Sequence, residues 1–272
     1  MELIKIGGNT LKLAKDITFS IVAYKNYNQI INAVNTINKF TTNYSKEIVI
    51  VDNTEKKDRD KYSTEINILT RLKNVSLVVN NVNLGFGKAN NIALHKANGK
   101  FFVICNPDIL LIEDSFSKII PYMEKHLAVG AVIPKLIDKN YKIEPVYRRK
   151  LTIFDVFIRY FHPFDSFKKR RAYHTMQDKD FTQPFRVPFG QGSFLVVRTN
   201  LMKRLNGFDE RYFMYVEDAD LCRRINQVST LQYFPYTSVI HLWEKGSHKN
   251  KKLMKWHIQA MIKYFNKWGL NG

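Results

Sequence analysis

An α/β fold, with a mainly parallel central sheet flanked by helices, is what residues 17–110 predict, and three observations carry it. Short apolar, β-branched runs recur there, segments of helical periodicity separate them, and each run ends in polar residues. Strand alternating with helix is the signature of βαβ units. Runs apolar at successive positions read as strands buried on both faces.

Ile17–Ala23 is the first such run, and Tyr27–Phe40 follows with Ile30, Ile31, Val34 and Ile37 at helical spacing. Glu47–Val51 is a second buried strand, ending at Asp52-Asn53, and Ile66, Leu69 and Leu72 mark the next helix. Val75–Val79 is a third strand, running into Asn80-Asn81-Val82-Asn83. Ala89–Ala97 reads as a helix with Gly99 as its stop signal. Phe101–Cys105 is the fourth strand, stopped by Asn106-Pro107-Asp108. In such sheets ligands sit beyond the carboxyl ends of the strands. The rim there receives Tyr24, Lys25, Asp52, Asn53, Asn83 and Asp108. Each alone is ordinary turn chemistry; as a set they point to a site.

Composition narrows the class. The chain has 272 residues, 45% hydrophobic and 25% charged, which is the profile of a folded globular protein. No apolar run approaches the roughly 20 residues that span a bilayer, and Met1–Ser20 lacks the pattern of a secretory signal. Cys105 and Cys222 each lie in an apolar segment, so packed thiols in a reducing cytoplasm are expected. The net charge of +19 attracts polyanions, whether nucleic acid, acidic lipid headgroups or phosphorylated substrates.

That charge is concentrated. Residues 148–150, 159 and 168–171 are all Lys or Arg, while Ile153, Phe154, Phe157, Ile158 and Phe161 fall on one helical face. In the tail, Leu253, Trp256, Ala260, Met261, Tyr264, Phe265 and Trp268 form an apolar stripe, with Lys252, Lys255, Lys263 and Lys267 off it. Basic amphipathic helices of this kind suit an anionic membrane surface; the same stripes also suit packing on the sheet or on another subunit. The two halves are expected to share one sheet, and the oligomeric state is left open, a homodimer included.

Three motifs carry chemistry. Asn83-Leu84-Gly85-Phe86-Gly87 through Asn90-Asn91 is a glycine-bearing strand-to-helix turn, matching neither the dinucleotide fingerprint nor a P-loop. Asp108, on a strand end, is of a type that holds Mg²⁺ or Mn²⁺, cations that favour oxygen ligands and keep substrate phosphate in their shell. Gly207-Phe208-Asp209-Glu210, followed by Glu217-Asp218-Ala219-Asp220 and Arg223-Arg224, opens a helix with acids, which the helix dipole favours. Asp218 also suits a general base if its surroundings raise its proton affinity. His241, closing the strand-like Thr237–Ile240, suits a structural or a metal-binding role.

In this order the motifs resemble those of the inverting family 2 glycosyltransferases with the GT-A fold, and most of all the rhamnosyltransferase-like branch that builds bacterial surface polysaccharide. The likeness runs over residues 17–250, with Lys88 and Ala93 at positions where small residues and Gly are commoner. It implies a catalytic domain at 1–250, made of a nucleotide-sugar half at 17–110 and an acceptor half at 111–250 with a basic insertion at 147–185. An amphipathic helix at 251–272 follows. The resemblance assigns the donor to Ala23, Tyr24, Asp52, Asn53, Asn83, Gly85, Phe86, Asn90, Asn91 and Asn106. A divalent cation, Mg²⁺ or Mn²⁺, falls to Asp108 and His241, and the base to Asp218. The acceptor falls to Glu217, Gly192 and Trp243, while Lys245, His248 and Lys249 are placed near the diphosphate. dTDP-rhamnose is the donor expected first and a UDP-hexose second. The acceptor expected is a lipid-linked saccharide at the inner leaflet.

A polyanion-binding protein without catalysis also explains the charge and the aromatics interleaved with Arg. It does not explain Asp52, Asp108 and Asp218 at strand and helix ends, where they repel phosphate, so nucleic acid is not the expected partner.

Overall fold

The computed structural model describes residues 3–6, 9–12, 15–161, 167–242 and 251–270. Strands β1 (Leu3–Ile6) and β2 (Asn9–Lys12) form an antiparallel pair of their own. The first half then runs β3 (Lys15–Ala23), α1 (Tyr27–Phe40), β4 (Lys46–Asp52), α2 (Lys56–Arg59), α3 (Ser63–Thr70), β5 (Val75–Val79), α4 (Phe86–Lys96) and β6 (Gly99–Cys105). Next come β7 (Ile109–Leu111), α5 (Phe116–Lys125), β8 (Val129–Ile137), β9 (Tyr147–Arg148), α6 (Ile153–Phe161) and α7 (Lys168–His174). The remainder is β10 (Phe185–Arg186), β11 (Phe189–Gly190), β12 (Phe194–Arg198), α8 (Thr199–Arg204), α9 (Glu217–Val228), β13 (Thr230–His241) and α10 (Lys251–Trp268).

One sheet unites the two halves in the order β10-β13-β8-β12-β6-β3-β4-β5, with β7 on β13. The four strands β6, β3, β4 and β5 are parallel, as the alternation of strand and helix predicts. The other half is mixed: β12 lies antiparallel between β6 and β8, β13 is parallel to β8, and β7 and β10 pair antiparallel to β13. β12 carries the same unbroken apolar run as its parallel neighbours, because it too is buried on both faces. Such a pattern does not encode direction.

Helix α4 starts at Phe86, three residues before the expected start, and its stop is not Gly99. Gly85 holds φ +85°, and a Cβ there would lie 2.1 Å from the Phe213 carbonyl oxygen, which also accepts the Phe86 N–H at 3.1 Å. Only glycine fits that left-handed, crowded corner. Gly99 instead opens β6, where a Cβ would stand 2.4 Å from the Thr18 nitrogen of β3. It is a close-approach residue between strands, not a helix cap.

The predicted stripe of α10 turns inward: Ala260, Met261, Tyr264 and Phe265 are buried in the main core. Burial of each large side chain contributes about 1.5–3 kcal/mol. On its other side Met254, Ile258 and Ile262, spaced four apart, are 47%, 46% and 55% exposed. The α6 stripe divides, with Ile158 buried but Ile153 and Phe154 largely exposed; the side chains of Phe157 and Phe161 lie outside the described residues. No helix among the described residues is long and apolar enough to cross a membrane.

Candidate active site

The rim expected to meet the donor forms where β3, β4 and β5 end. Asp52 is fully buried at the end of β4, its oxygens accepting the Arg59 Nε–H at 2.7 Å and the Thr54 amide at 2.8 Å. Arg59 was not anticipated from sequence, since it lies in an isolated polar turn with no periodic signal. Asn53 donates to the Gly85 carbonyl at 3.0 Å and accepts from Asn80 at 2.8 Å, while the Asn83 side-chain oxygen accepts the Gly85 amide at 2.9 Å. Ala23 is buried beneath, and Tyr24 is exposed at the edge with its hydroxyl 3.1 Å from Glu55.

Further in, Asn90 and Asn91 face protein groups. Asn90 accepts the Ser20 hydroxyl at 2.7 Å and donates to the Phe86 carbonyl at 3.0 Å. Asn91 clamps Phe208, accepting its amide at 2.7 Å and donating to its carbonyl at 2.9 Å. Asn91 ties this segment to the acidic motif 117 residues on, with the Phe86 and Phe208 rings in edge contact at 5.8 Å.

The acids of that motif divide into two kinds. Asp209 pairs with Arg211 and Lys267, and Asp220 is fully buried against Arg224, Lys267 and the Trp268 indole, so both anchor α10. Glu217 and Asp218 face the other way. Asp218 Oδ2 accepts the Gly192 amide at 3.2 Å and Oδ1 accepts the Ala219 amide at 2.8 Å. Burial raises the Asp218 pKa, outweighing these amides and the nearby charge of Arg148. Directly before α9, Tyr215 and Val216 both hold left-handed backbone, φ 70° and 66°. That conformation is strained for a β-branched residue and marks a turn held in place by its surroundings.

Burial and the Asp218 charge raise Glu217 to about 8. The amides accepted by Asp218 favour its ionised form, leaving Glu217 as the protonated partner at neutral pH. A carboxyl whose pKa rises on folding binds more protons folded than unfolded, between its ordinary 4.5 and about 8. Its stabilisation is complete below that window and is lost as pH rises through it. The thermal midpoint should therefore fall between pH 5 and 8, and Glu217→Gln should flatten that slope; parallel pH profiles for the two proteins would remove Glu217 as the cause.

The opposite wall is the expected metal corner. Strand β13 pairs with β7 so that His241 stands opposite Ile109, and the Leu242 amide donates to the Asp108 carbonyl at 2.8 Å. This sets His241 Nε2 3.4 Å from Asp108 Oδ2, while Nδ1 meets Glu144 Oε2 at 2.6 Å. Burial works against charge on the imidazole, yet Asp108 and Glu144 overcome it and raise His241 to about 9. Glu144 is a residue that sequence reading missed. It lies in a polar stretch 97 residues from His241, and only folding brings them together.

At this corner the buried Asn106 Oδ1, Asp108 Oδ1 and Ser193 Oγ have no hydrogen-bond partner among the described residues, and neither has Glu217 Oε2 next to Asp218. The Asn106 amide donates to the Ser193 carbonyl at 2.8 Å, and neighbouring Gly192 holds Asp218. One turn at the head of β12 therefore joins the Asp108 corner to the carboxylate pair. Buried polar atoms are nearly always satisfied, so such a cluster marks a place where a ligand completes the pairing. The donors fit a hard divalent cation: carboxylate and amide oxygens beside an imidazole whose far nitrogen is fixed by a carboxylate. No group of three or more His, Cys, Asp or Glu that could hold a metal ion is found among the described residues. Trp243, Lys245, His248 and Lys249 lie outside the described residues.

Residues 18–205 match the family model described as glycosyl transferase family 2. The chain is 29% identical over 192 residues to the rhamnosyltransferase WbbL of Escherichia coli, covering 66% of this chain and 69% of that protein. It is 27% identical over 185 residues to the N-acetylglucosaminyl-diphospho-decaprenol L-rhamnosyltransferase of Mycobacterium tuberculosis, covering 63% of this chain but only 60% of that one. Among solved structures, a mannosyltransferase from Pyrobaculum calidifontis in complex with GDP-Man and Mn²⁺ superposes with TM-score 0.61 at 17% identity, over 93% of this chain and 65% of its own. That likeness is one of fold.

Proposed function

The chain belongs to glycosyl transferase family 2, and from that premise we propose that it transfers a rhamnosyl residue, with inversion, from a nucleoside diphosphate donor to a hydroxyl of a lipid-linked saccharide. dTDP-rhamnose is the donor proposed first and a UDP-hexose second. The observation that carries the reading is the set of buried oxygens without a partner among the described residues at Asn106, Asp108 and Ser193, joined through Gly192 to Asp218 and its neighbour Glu217.

Asp218 takes the proton from the acceptor hydroxyl as that oxygen attacks the anomeric carbon. The Gly192 and Ala219 amides orient its carboxylate, and its raised proton affinity suits the task. Glu217, protonated beside it, can donate a hydrogen bond to the acceptor without adding repulsion. On the donor side, the buried Asp52–Arg59 pair meets the base, and the Asn83–Phe86 turn lets the donor approach the backbone. Asn90 acts there by tying Phe86 to Ser20 of β3, and Asn91 by holding the helix against Phe208. Asp108 and His241 are the residues that hold a divalent cation, Mg²⁺ or Mn²⁺, which when bound offsets the charge of the departing diphosphate. The exposed Met254, Ile258 and Ile262, beside exposed Lys255 and Lys263, support contact with an anionic inner leaflet.

The test is calorimetric titration of dTDP-rhamnose and UDP-hexoses, each with Mn²⁺ or Mg²⁺ and with chelator. Metal-dependent binding of dTDP-rhamnose is expected. Absence of binding by every nucleotide sugar, with or without metal, would overturn the proposal in favour of polyanion binding.

A further inference from the structure

Asp218 is delivered by a segment with no regular structure of its own. Between α8 and α9 the chain runs through residues 205–216 without helix or strand. It ends in the left-handed pair Tyr215 and Val216, immediately before Glu217 and Asp218. Strained backbone of this kind persists only where its surroundings over-determine it. Whatever holds the segment therefore sets where the two carboxyl groups point. The tolerance is small: a Cβ on Gly192 would lie 3.2 Å from Asp218 Cβ and 4.0 Å from the Phe86 ring, so base, orienting amide and donor turn are packed together.

Two helices grip the segment. From α4, Asn91 clamps Phe208 and the Phe86 amide donates to the Phe213 carbonyl at 3.1 Å. From α10, the Trp256 ring lies 4.5 Å from Phe213, the His257 ring lies 5.0 Å from Tyr215, and Lys263 donates to the Arg211 carbonyl at 2.5 Å. Lys267 completes the grip from α10. Its Nζ stands 2.9 Å from Asp209 Oδ2 and 2.6 Å from Asp220 Oδ1. One ammonium thus joins the start of the loop to the first turn of α9, and the residues between those two acids include Glu217 and Asp218.

Neither acid depends on Lys267 for a partner. Asp220 Oδ2 accepts the Arg224 Nε–H at 2.7 Å, and Oδ1 also accepts the Trp268 indole N–H at 2.8 Å. Asp209 accepts two N–H groups of Arg211, at 2.9 and 2.6 Å. The large penalty for breaking a buried ion pair comes from the charge left behind, and here no acid would be left alone. What Lys267 adds is the link between the two.

We infer that Lys267 is a positioning residue for glycosyl transfer: by bridging Asp209 to Asp220 it closes the loop that carries the base and seats Asp218 against the Gly192 amide. The inference rests on the assignment of Asp218 as the base in the reading above.

The test compares Lys267→Met, which keeps the aliphatic stem, with Lys267→Arg, which keeps the charge. Transfer is followed from dTDP-rhamnose to a short-chain N-acetylglucosaminyl-diphospho-lipid, beside calorimetric donor binding. For Lys267→Met, kcat should fall about 10- to 100-fold, the cost of a reacting group displaced by about an ångström, with donor affinity unchanged. Lys267→Arg should recover most of the loss. Asp209→Asn should give a similar loss, and the Lys267→Met/Asp209→Asn double variant little further loss, because both act through one contact. Amide exchange in the loop and the first turn of α9 should speed at least about 10-fold in Lys267→Met, the scale of one charged hydrogen bond, while β3 and β4 keep their protection.

Wild-type kcat in Lys267→Met overturns the inference, and so do losses that add in the double variant. A fall in kcat that only follows a smaller folded fraction at the assay temperature overturns it too, leaving Lys267 a role in stability. Full turnover in Asp218→Asn beside a slowed Lys267→Met removes Asp218 as the base and leaves Lys267 as the residue that orders the loop. Absence of transfer by the wild type removes the rhamnosyl-transfer reading, and the exchange measurement still decides whether Lys267 closes the loop.

Discussion

Asp218→Asn should lower turnover by about two to four orders of magnitude, the usual contribution of a positioned general base, while donor affinity stays unchanged. Asn keeps the size of the side chain and an oxygen that can still accept the Gly192 amide, now held at 3.2 Å. What it loses is the ability to take a proton. The residues proposed to hold the donor, Asp52, Asn53, Asn83 and Gly85, lie at the end of β4 and in the loops that follow β4 and β5, so nucleotide-sugar binding should be insulated from the change. The wild-type rate should rise with pH through a value above the ordinary carboxylate range, because burial raises Asp218. The variant should lose that rise. A pre-steady-state assay of sugar transfer, paired with donor titration, checks both; comparable turnover in the variant would remove Asp218 from the role.

Asp108→Ala should abolish metal-dependent donor binding and cost turnover at least about two orders of magnitude, since a bound cation supplies several kcal/mol at a leaving diphosphate. The Asp108 Oδ1 atom is buried with no partner among the described residues, and Oδ2 faces His241 at 3.4 Å. Glu144→Gln tests the same corner from behind. Glu144 fixes the imidazole through a 2.6 Å contact, and loss of such a supporting carboxylate typically lowers metal affinity about 10- to 100-fold. The order Asp108→Ala worse than Glu144→Gln, worse than wild type, should appear in a Mn²⁺ titration followed by donor binding. A Glu144→Gln protein with wild-type metal affinity would leave Glu144 a structural role only.

The parallel half of the sheet is legible because β3, β4 and β6 are buried on both faces, the edge strand β5 keeps the same apolar run, and α1 and α4 each bury one stripe, so local periodicity reports burial directly. The rim residues Asp52, Asn53, Asn83 and Asp108 are legible for a related reason: a strand's carboxyl end is where an apolar run meets polar residues. The acidic motif is only half legible. Asp209, Glu217, Asp218 and Asp220 are alike in sequence, yet Asp220 and Asp209 bind α10 while Glu217 and Asp218 face the site. Which acid does which depends on Lys267 and Trp268, some 50 residues away in the chain.

The sequence by itself determined the α/β class, the order of the motifs and the chemical groups delivered to the strand ends, because all of these follow from patterns within a few residues. Tertiary structure alone decided the antiparallel placement of β12, the inward face of α10, the Arg59 clamp on Asp52 and the carboxylate behind His241. Each of these depends on which distant segment a side chain or strand meets, and that is settled only when burial of the whole core brings the segments together.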